Sequence, residues 1–326
     1  MNHKITKNQK KIFLFLIGLA LIFTAGSAAV MPKDYEAYNI ASVTNKISQV
    51  NQEAENSLDV VFLGDSECSY TFAPVQLYGE YGIASYNLGF ANQHFCDSIV
   101  VLKETMKKQD VRMIVLECNL LFLPGNPIDP VPRDQYWFEK LVPMAHYHSF
   151  YKRIDLPRQL PAGNDISQQS AITKGFYIRR MTNAYKGDRE YMKHTPDSDK
   201  DTKITPENEK AVKELADLCK EKNIQLVLSA APSPLSWNYQ KLKTTEELAE
   251  KLQVPFVDFN QPSQVSIDWA EDTMDAGDHI NFMGSLKVNH YMGEWIRKNA
   301  DLPDHRSDES YESWDKLYQK HYGGGR

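Results

Sequence analysis

The run Val60-Val61-Phe62-Leu63, closed by Gly64-Asp65-Ser66, constrains the fold of this chain more than any other stretch. An apolar run with no polar alternation needs cover on both faces, which is the pattern of a central strand in a parallel sheet. A glycine then lets the chain turn sharply and leaves a serine hydroxyl at the carboxyl end of the strand. Open α/β sheets bind their ligands at that edge. Ser66 is therefore a candidate nucleophile if a histidine reaches it. The plainer account is a turn, since Gly, Asp and Ser are all turn formers.

The rest of the chain repeats the strand, loop, helix rhythm. A second strand is predicted at about 84–88, running into Gly89-Phe90-Ala91-Asn92-Gln93, and a helix at about 94–108. An apolar strand from Val111 to Leu116 ends in Glu117-Cys118-Asn119. After residue 204 the rhythm resumes with Thr205 as N-cap and Pro206 at the first helical position. Val212, Leu215, Ala216 and Cys219 form the buried stripe of that helix. Strands at about 224–228 and 254–258, a helix at about 239–252 and a last helix from Gly284 to Arg297 complete the series. The fold class is α/β, a doubly wound, flavodoxin-like parallel sheet.

Residues 120–204 interrupt it. Pro124, Gly125, Pro127, Pro130 and Pro132 break the chain, and Tyr136, Trp137, Phe138, Tyr147, Phe150 and Tyr151 crowd together. This irregular insertion is functional more often than a mere connection. Its aromatics either pack a core of their own or form a platform for stacking sugars.

At the N-terminus, Lys4, Lys7, Lys10 and Lys11 precede Ile12–Met31, which carries no charge. About 20 such residues suffice to cross a bilayer core. The lysines predict a cytoplasmic segment 1–11, a transmembrane anchor 12–31 and an extracellular remainder. Ala25-Gly26-Ser27-Ala28-Ala29 keeps a cleaved signal peptide in contention. The expected order is then a stalk or short helix at 32–57, an α/β domain at 58–300 and a polar tail at 301–326. Net charge is −6, with 37 basic and 43 acidic residues interspersed, which excludes a nucleic-acid-binding face. Four cysteines are too few for a disulfide scaffold, and no spacing suggests zinc or another cofactor. Cys68, Cys96 and Cys118 fall near strand ends, where they are either buried thiols or close enough to bridge.

A serine nucleophile needs a base, a group that orients the base, and oxyanion donors. Of nine histidines, His279 is the best placed. It lies in Asp275-Ala276-Gly277-Asp278-His279-Ile280-Asn281, a polar loop after the final strand and just before the last helix. That loop belongs to the carboxyl edge of the sheet, and a flanking carboxylate fixes the imidazole tautomer. Asp65 reads as a cap on backbone N–H groups and not as a proton carrier.

Gly-Asp-Ser after the first strand, Asn-Leu-Gly after the second, Asn after the third, and Asp…His-Ile-Asn before the last helix together resemble the SGNH (GDSL-like) hydrolase superfamily. The anchor and outward-facing domain resemble its branch of envelope acyl-transfer proteins, which includes the D-alanyl transfer protein of teichoic acids and the alginate acetylation proteins. The likeness covers about residues 58–298, apart from the insertion. It implies Ser66 as nucleophile, His279 as base, and Ser66, Gly89 and Asn119 as oxyanion donors. Two departures stand out. The family's aspartate sits three residues before its histidine, where this chain has Ala276; Asp275 is the favoured replacement and Asp278 the alternative. The third motif reads Glu117-Cys118-Asn119-Leu120, which leaves Asn92 as the alternative amide. The resemblance implies a membrane-anchored acyltransferase or esterase acting on a small acyl group of a cell-envelope glycan, with a multi-spanning membrane acyltransferase as partner if it transfers. The competing expectation is a surface scaffold that keeps the fold without the chemistry.

Overall fold

Both faces of the strand before Ser66 are covered, as its composition requires: Val60, Val61, Phe62 and Leu63 expose no surface. The computed structural model describes residues 6–30, 43–123, 170–194 and 202–323. Along the chain run α1 (Lys7–Val30), α2 (Val43–Val50), β1 (Val60–Leu63), α3 (Ser66–Thr71), α4 (Pro74–Tyr81), β2 (Ser85–Asn87), α5 (Phe95–Thr105) and β3 (Met113–Glu117). Next come β4 (Ser170–Thr173), β5 (Phe176–Arg179), α6 (Pro206–Glu221), β6 (Gln225–Ala230), α7 (Tyr239–Leu252), β7 (Phe256–Asp258), α8 (Phe282–Asn299) and α9 (Glu312–Tyr322). Two units separate, Met1–Asn39 with Val131–Asp165 and Ile40–Pro130 with Ile166–Arg326. In the first, the described residues are Thr6 and α1.

The second unit is built on a five-stranded sheet in the order β2-β1-β3-β6-β7, each neighbouring pair parallel. This is the expected flavodoxin-like order, and it reverses between β1 and β3, beside Ser66. On one face, Val60, Phe62, Met113, Val115, Val227 and Val257 pack with Val288, Met292 and Ile296 of α8. Phe62 stacks on Phe72 at 4.6 Å between ring centroids. The helix caps foreseen in the sequence are present: the Thr205 hydroxyl accepts the Asn208 N–H, and Pro206 starts α6.

Three stretches depart from expectation. Residues 43–50, within the expected stalk or short helix, form a helix that is packed into the domain, burying Val43, Lys46, Ile47 and Val50. Lys46 is wholly enclosed and donates to the carbonyls of Asn87 and Gly175 at 3.2 and 3.3 Å, and burial pushes its ammonium down to about 7. The insertion, expected to be irregular, contains the antiparallel β4–β5 hairpin. Lys174 and Gly175 both have positive φ at its tip, as a two-residue turn of that twist demands. The C-terminal segment, expected as a polar tail, folds into α9, whose Trp314 is buried against Tyr78 of α4. The Tyr78 hydroxyl also donates to Asp315 Oδ1 at 3.1 Å and Tyr322 lies against Phe282, contacts that the polarity of the segment hid in the sequence. The aromatic cluster at 136–151 lies outside the described residues, as does 195–201.

The expected membrane span is not met in full. Among the described residues no helix is long and apolar enough to cross a membrane. Side chains of α1 from Ile12 to Phe23 are largely exposed and mostly large and apolar.

The hairpin tip meets the end of β2, because the Asn87 N–H donates to the Lys174 carbonyl at 2.9 Å. A Cβ on Gly175 (φ +86°) would collide with the Asn87 carbonyl oxygen. Gly175→Ala is therefore expected to destabilise by roughly 1–3 kcal/mol from backbone strain alone. Thermal unfolding should show a midpoint several degrees below the parent; an unchanged midpoint would refute this docking.

Candidate active site

The nucleophile turn is set by close packing around two glycines. A Cβ on Gly64 would meet Cys68 and Glu117, and one on Gly89 would meet the Asp65 carbonyl at 2.9 Å and Cys68. Without side chains at these two positions, the β1 and β2 loops close on one another and leave Ser66 at the first position of α3. Asp65 is the N-cap: its Oδ1 accepts the Glu67 N–H at 2.9 Å, and its Oδ2 accepts the Asn119 amide at 3.2 Å. The capping role expected for Asp65 is the one observed.

His279 arrives from the opposite side on the loop before α8. That loop is pinned by an isolated bridge between Thr273 and Ile280, by Thr273 Oγ1 donating to the His279 carbonyl at 2.9 Å, and by the Gly277 N–H donating to Thr273 Oγ1 at 2.9 Å. The segment after β5 supports it from outside, with hydrogen bonds from the Asn183 N–H to the Thr273 carbonyl and from the Ala276 N–H to the Asn183 carbonyl. Ser66 Oγ and His279 Nε2 are 2.8 Å apart, and His279 Nδ1 lies 2.6 Å from Asp275 Oδ2. Asp275 Oδ1 also accepts the His279 backbone N–H at 2.7 Å. Asp278 Oδ2 stands farther from Nδ1, at 3.6 Å, and its Oδ1 accepts the Ser236 hydroxyl at 2.8 Å. The structure thus brings Ser66, His279 and Asp275 together and gives Asp278 a flanking place. Consecutive left-handed residues, Ala276 (φ +63°) and Gly277 (φ +100°), fold the loop back so that an aspartate four residues before the histidine reaches its ring. Tyr70, one helical turn beyond Ser66, sets its ring edge against the imidazole at 5.0 Å.

Two of the expected oxyanion donors, Gly89 and Asn119, are engaged by other groups in this structure. The Gly89 N–H is committed to Asn87 Oδ1 at 3.0 Å. Asn119 is tied to the site through Asp65, while its Oδ1 accepts Lys241 Nζ at 2.9 Å. A half-buried lysine partner therefore fixes the asparagine as a structural bridge. Asn92 is exposed, at a left-handed position (φ +58°) in the loop after β2. Of the expected donors, the Ser66 N–H is the one at the first helical position, with no acceptor inside its own helix.

Sequence reasoning missed two buried acids and a half-buried lysine around the triad. Glu67, adjacent to the nucleophile, is only 3% exposed, and burial pushes its carboxyl up to about 8. Glu117 is 1% exposed and accepts the N–H groups of Asn119 and Ala231; burial first, then the charges of Asp65 and Glu67, push it up as well. Lys241 supplies the positive charge that reaches Asp65 through Asn119. Charged residues in a short helix or at a strand end read as solvated from sequence alone, so no signal marked them. Burial pushes His279 down, but the charges of Glu67, Asp275 and Asp278 and the Asp275 hydrogen bond outweigh it and raise the imidazole to about 9. Burial also opposes ionisation of Asp275, yet its contacts with His279 hold it below the ordinary carboxylate range. Glu67, Asp278 and His279 present atoms within 4.8 Å of one another, the one grouping among the described residues with the reach to hold a metal ion. Both ring nitrogens of His279 are already engaged by Ser66 and Asp275, so the grouping serves proton chemistry as it stands. Cys68, Cys118 and Cys219 are buried thiols.

No family model and no curated protein matches the chain. Solved structures that resemble it include a GDSL-like lipase from Bacteroides thetaiotaomicron, at 12% sequence identity and a TM-score of 0.40, covering 80% of this chain and 100% of that one. The lipase/acylhydrolase from Enterococcus faecalis is similar at 11% identity and a TM-score of 0.40, covering 76% of this chain and 98% of that one. Activity is accordingly argued from this chain's own side chains.

Two hydrogen bonds from Asp275 against one longer contact from Asp278 give a ranking. In imidazole NMR titrations, Asp275→Asn should lower the His279 midpoint by about one unit or more, and Asp278→Asn by less. The reverse order would make Asp278 the orienting acid.

Proposed function

We propose that the chain is a serine-dependent acyl-transfer enzyme of the SGNH type, an esterase or acyltransferase, with Ser66 as nucleophile, His279 as base and Asp275 as orienting acid. The observation that carries this is the continuous hydrogen-bonded path from Ser66 Oγ through both ring nitrogens of His279 to Asp275. In the first half-reaction Ser66 Oγ attacks the ester carbonyl while its proton passes to His279 Nε2. The oxyanion is met by the Ser66 N–H, with Gly89 available once Asn87 releases its N–H. Collapse expels the alcohol, which takes the proton back from His279 and leaves an acyl-serine. In the second half-reaction water or a sugar hydroxyl gives its proton to His279 and attacks the acyl carbon, and His279 returns that proton to Ser66 as the enzyme is regenerated.

The finer reading follows from the sequence. The substrate is a small acyl group, acetyl foremost, on a cell-envelope glycan. The domain is tethered at the outer face of the membrane by the segment 12–31, with residues 1–11 in the cytoplasm. Tethering favours transfer because it raises the effective concentration near a membrane-bound acyl donor. A multi-spanning membrane acyltransferase is the partner that would load it. The lysines before Ile12 and the exposed apolar side chains of α1 support this placement.

One observation favours a second reading, a scaffold that has lost efficient chemistry: the Gly89 N–H already has an acceptor in Asn87. Activity decides between them. Ser66→Ala should reduce hydrolysis of p-nitrophenyl acetate by about 10⁴-fold or more, as removal of a triad nucleophile does elsewhere. Equal turnover by the parent and this variant would leave the scaffold as the better account. The acid limb of the parent's kcat/KM profile should lie above the ordinary histidine value, since His279 is held protonated to about 9 and acts as base only when neutral.

A further inference from the structure

Glu67 follows the nucleophile directly, yet the acyl-transfer steps above make no use of it. Its side chain is 3% exposed, and its Oε1 is buried without a hydrogen-bond partner. An enclosed carboxyl with an unmet oxygen is costly unless it is neutral or faces a cation. The cation at hand is His279. A carboxyl oxygen of Glu67, one of Asp278 and a ring nitrogen of His279 all lie within 4.8 Å of one another. We propose that Glu67 is a positioning residue for the base: its buried carboxyl lies within 4.8 Å of the His279 imidazole, and its charge state governs when that imidazole is free to deprotonate Ser66.

The pair has two forms of the same composition, Glu67 carboxylate beside imidazolium and Glu67 carboxylic acid beside neutral imidazole, and exchange between them moves one proton. In the first form His279 is held as a cation by three carboxylates, Asp275, Asp278 and Glu67. In the second, one of those charges is gone and the imidazole is released as base. The other titratable groups around the pair are Asp65 at the nucleophile turn, Glu117 at the end of β3, the Cys68 thiol, Tyr70 on α3, and Lys241 on α7, whose charge reaches Asp65 through Asn119. The negative groups among these oppose ionisation of Glu67, and burial does so most strongly. The charge of Glu67 in turn is the largest influence raising His279.

This inference rests on His279 being the base in the proposed reaction, and its test separates the two claims. The probe is the His279 imidazole itself, followed by NMR in the whole chain labelled at histidine and assigned from the signal missing in His279→Gln. Glu67→Gln keeps the shape of the side chain and removes its charge. It should move the His279 midpoint down by about one unit or more and shift the acid limb of kcat/KM for p-nitrophenyl acetate the same way. A midpoint unmoved by Glu67→Gln would overturn the proposal. Absence of ester hydrolysis in both proteins would count against the enzyme, while the imidazole titration would still decide the role of Glu67. If Glu67→Gln does not fold, the Glu67 carboxyl carbon of the unaltered protein serves. Titration of that carbon together with His279, far above the ordinary glutamate value, supports the exchange, and titration near 4.5 refutes it.

Discussion

Asp275 holds His279 twice, by the ring nitrogen and by the backbone N–H, and the geometry of the whole site depends on that grip. A side-chain contact alone would leave the imidazole free to rotate about its bond to the backbone. Gripping ring and backbone together fixes the tautomer, so that Nδ1 carries the proton and Nε2 points its lone pair at Ser66. The loop accepts strain to achieve this. Ala276 sits in the left-handed region, which costs a side-chain-bearing residue about 1 kcal/mol or more. Hydrogen bonds from Thr273 and from the 180–194 segment over-determine the conformation and offset that cost.

The second constraint is steric. β1 and β2 deliver their loops to the same edge of the sheet, and two missing side chains let them touch. Gly89 approaches the Asp65 carbonyl, and Gly64 approaches Cys68 and Glu117. The same closeness that exposes Ser66 at a sharp turn also encloses Asp65, Glu67 and Glu117. Enclosed carboxyls in a low-dielectric site hold their protons, and the charge they do carry falls on the one imidazole nearby. Nucleophile exposure and base tuning are therefore consequences of one packing arrangement.

Much of this was legible in the residues. Val60–Leu63 could only be an interior strand, Thr205-Pro206 could only open a helix, and the sheet order followed from the alternating rhythm. Ser66 and His279 were picked out by their place at the carboxyl edge of such a sheet, and Asp275 by a resemblance to a family motif from which it is displaced by one residue. What escaped depended on contacts between residues far apart in sequence. Trp314 docks a helix that looks solvated, Lys46 is enclosed by carbonyls of Asn87 and Gly175, and Gly89 spends its N–H on Asn87. Glu67 is the sharpest case: a charged residue one step from the nucleophile, whose burial only the closed turn reveals.

The central claim is that Ser66 carries the acyl group. Incubating the protein with p-nitrophenyl acetate, quenching in acid and measuring intact and peptide masses tests it directly. A single acetyl adduct on the peptide bearing Ser66, absent from Ser66→Ala and from His279→Ala, is the expected result. Acetylation that persists in Ser66→Ala, or none on the Ser66 peptide while the ester is being turned over, would contradict the account.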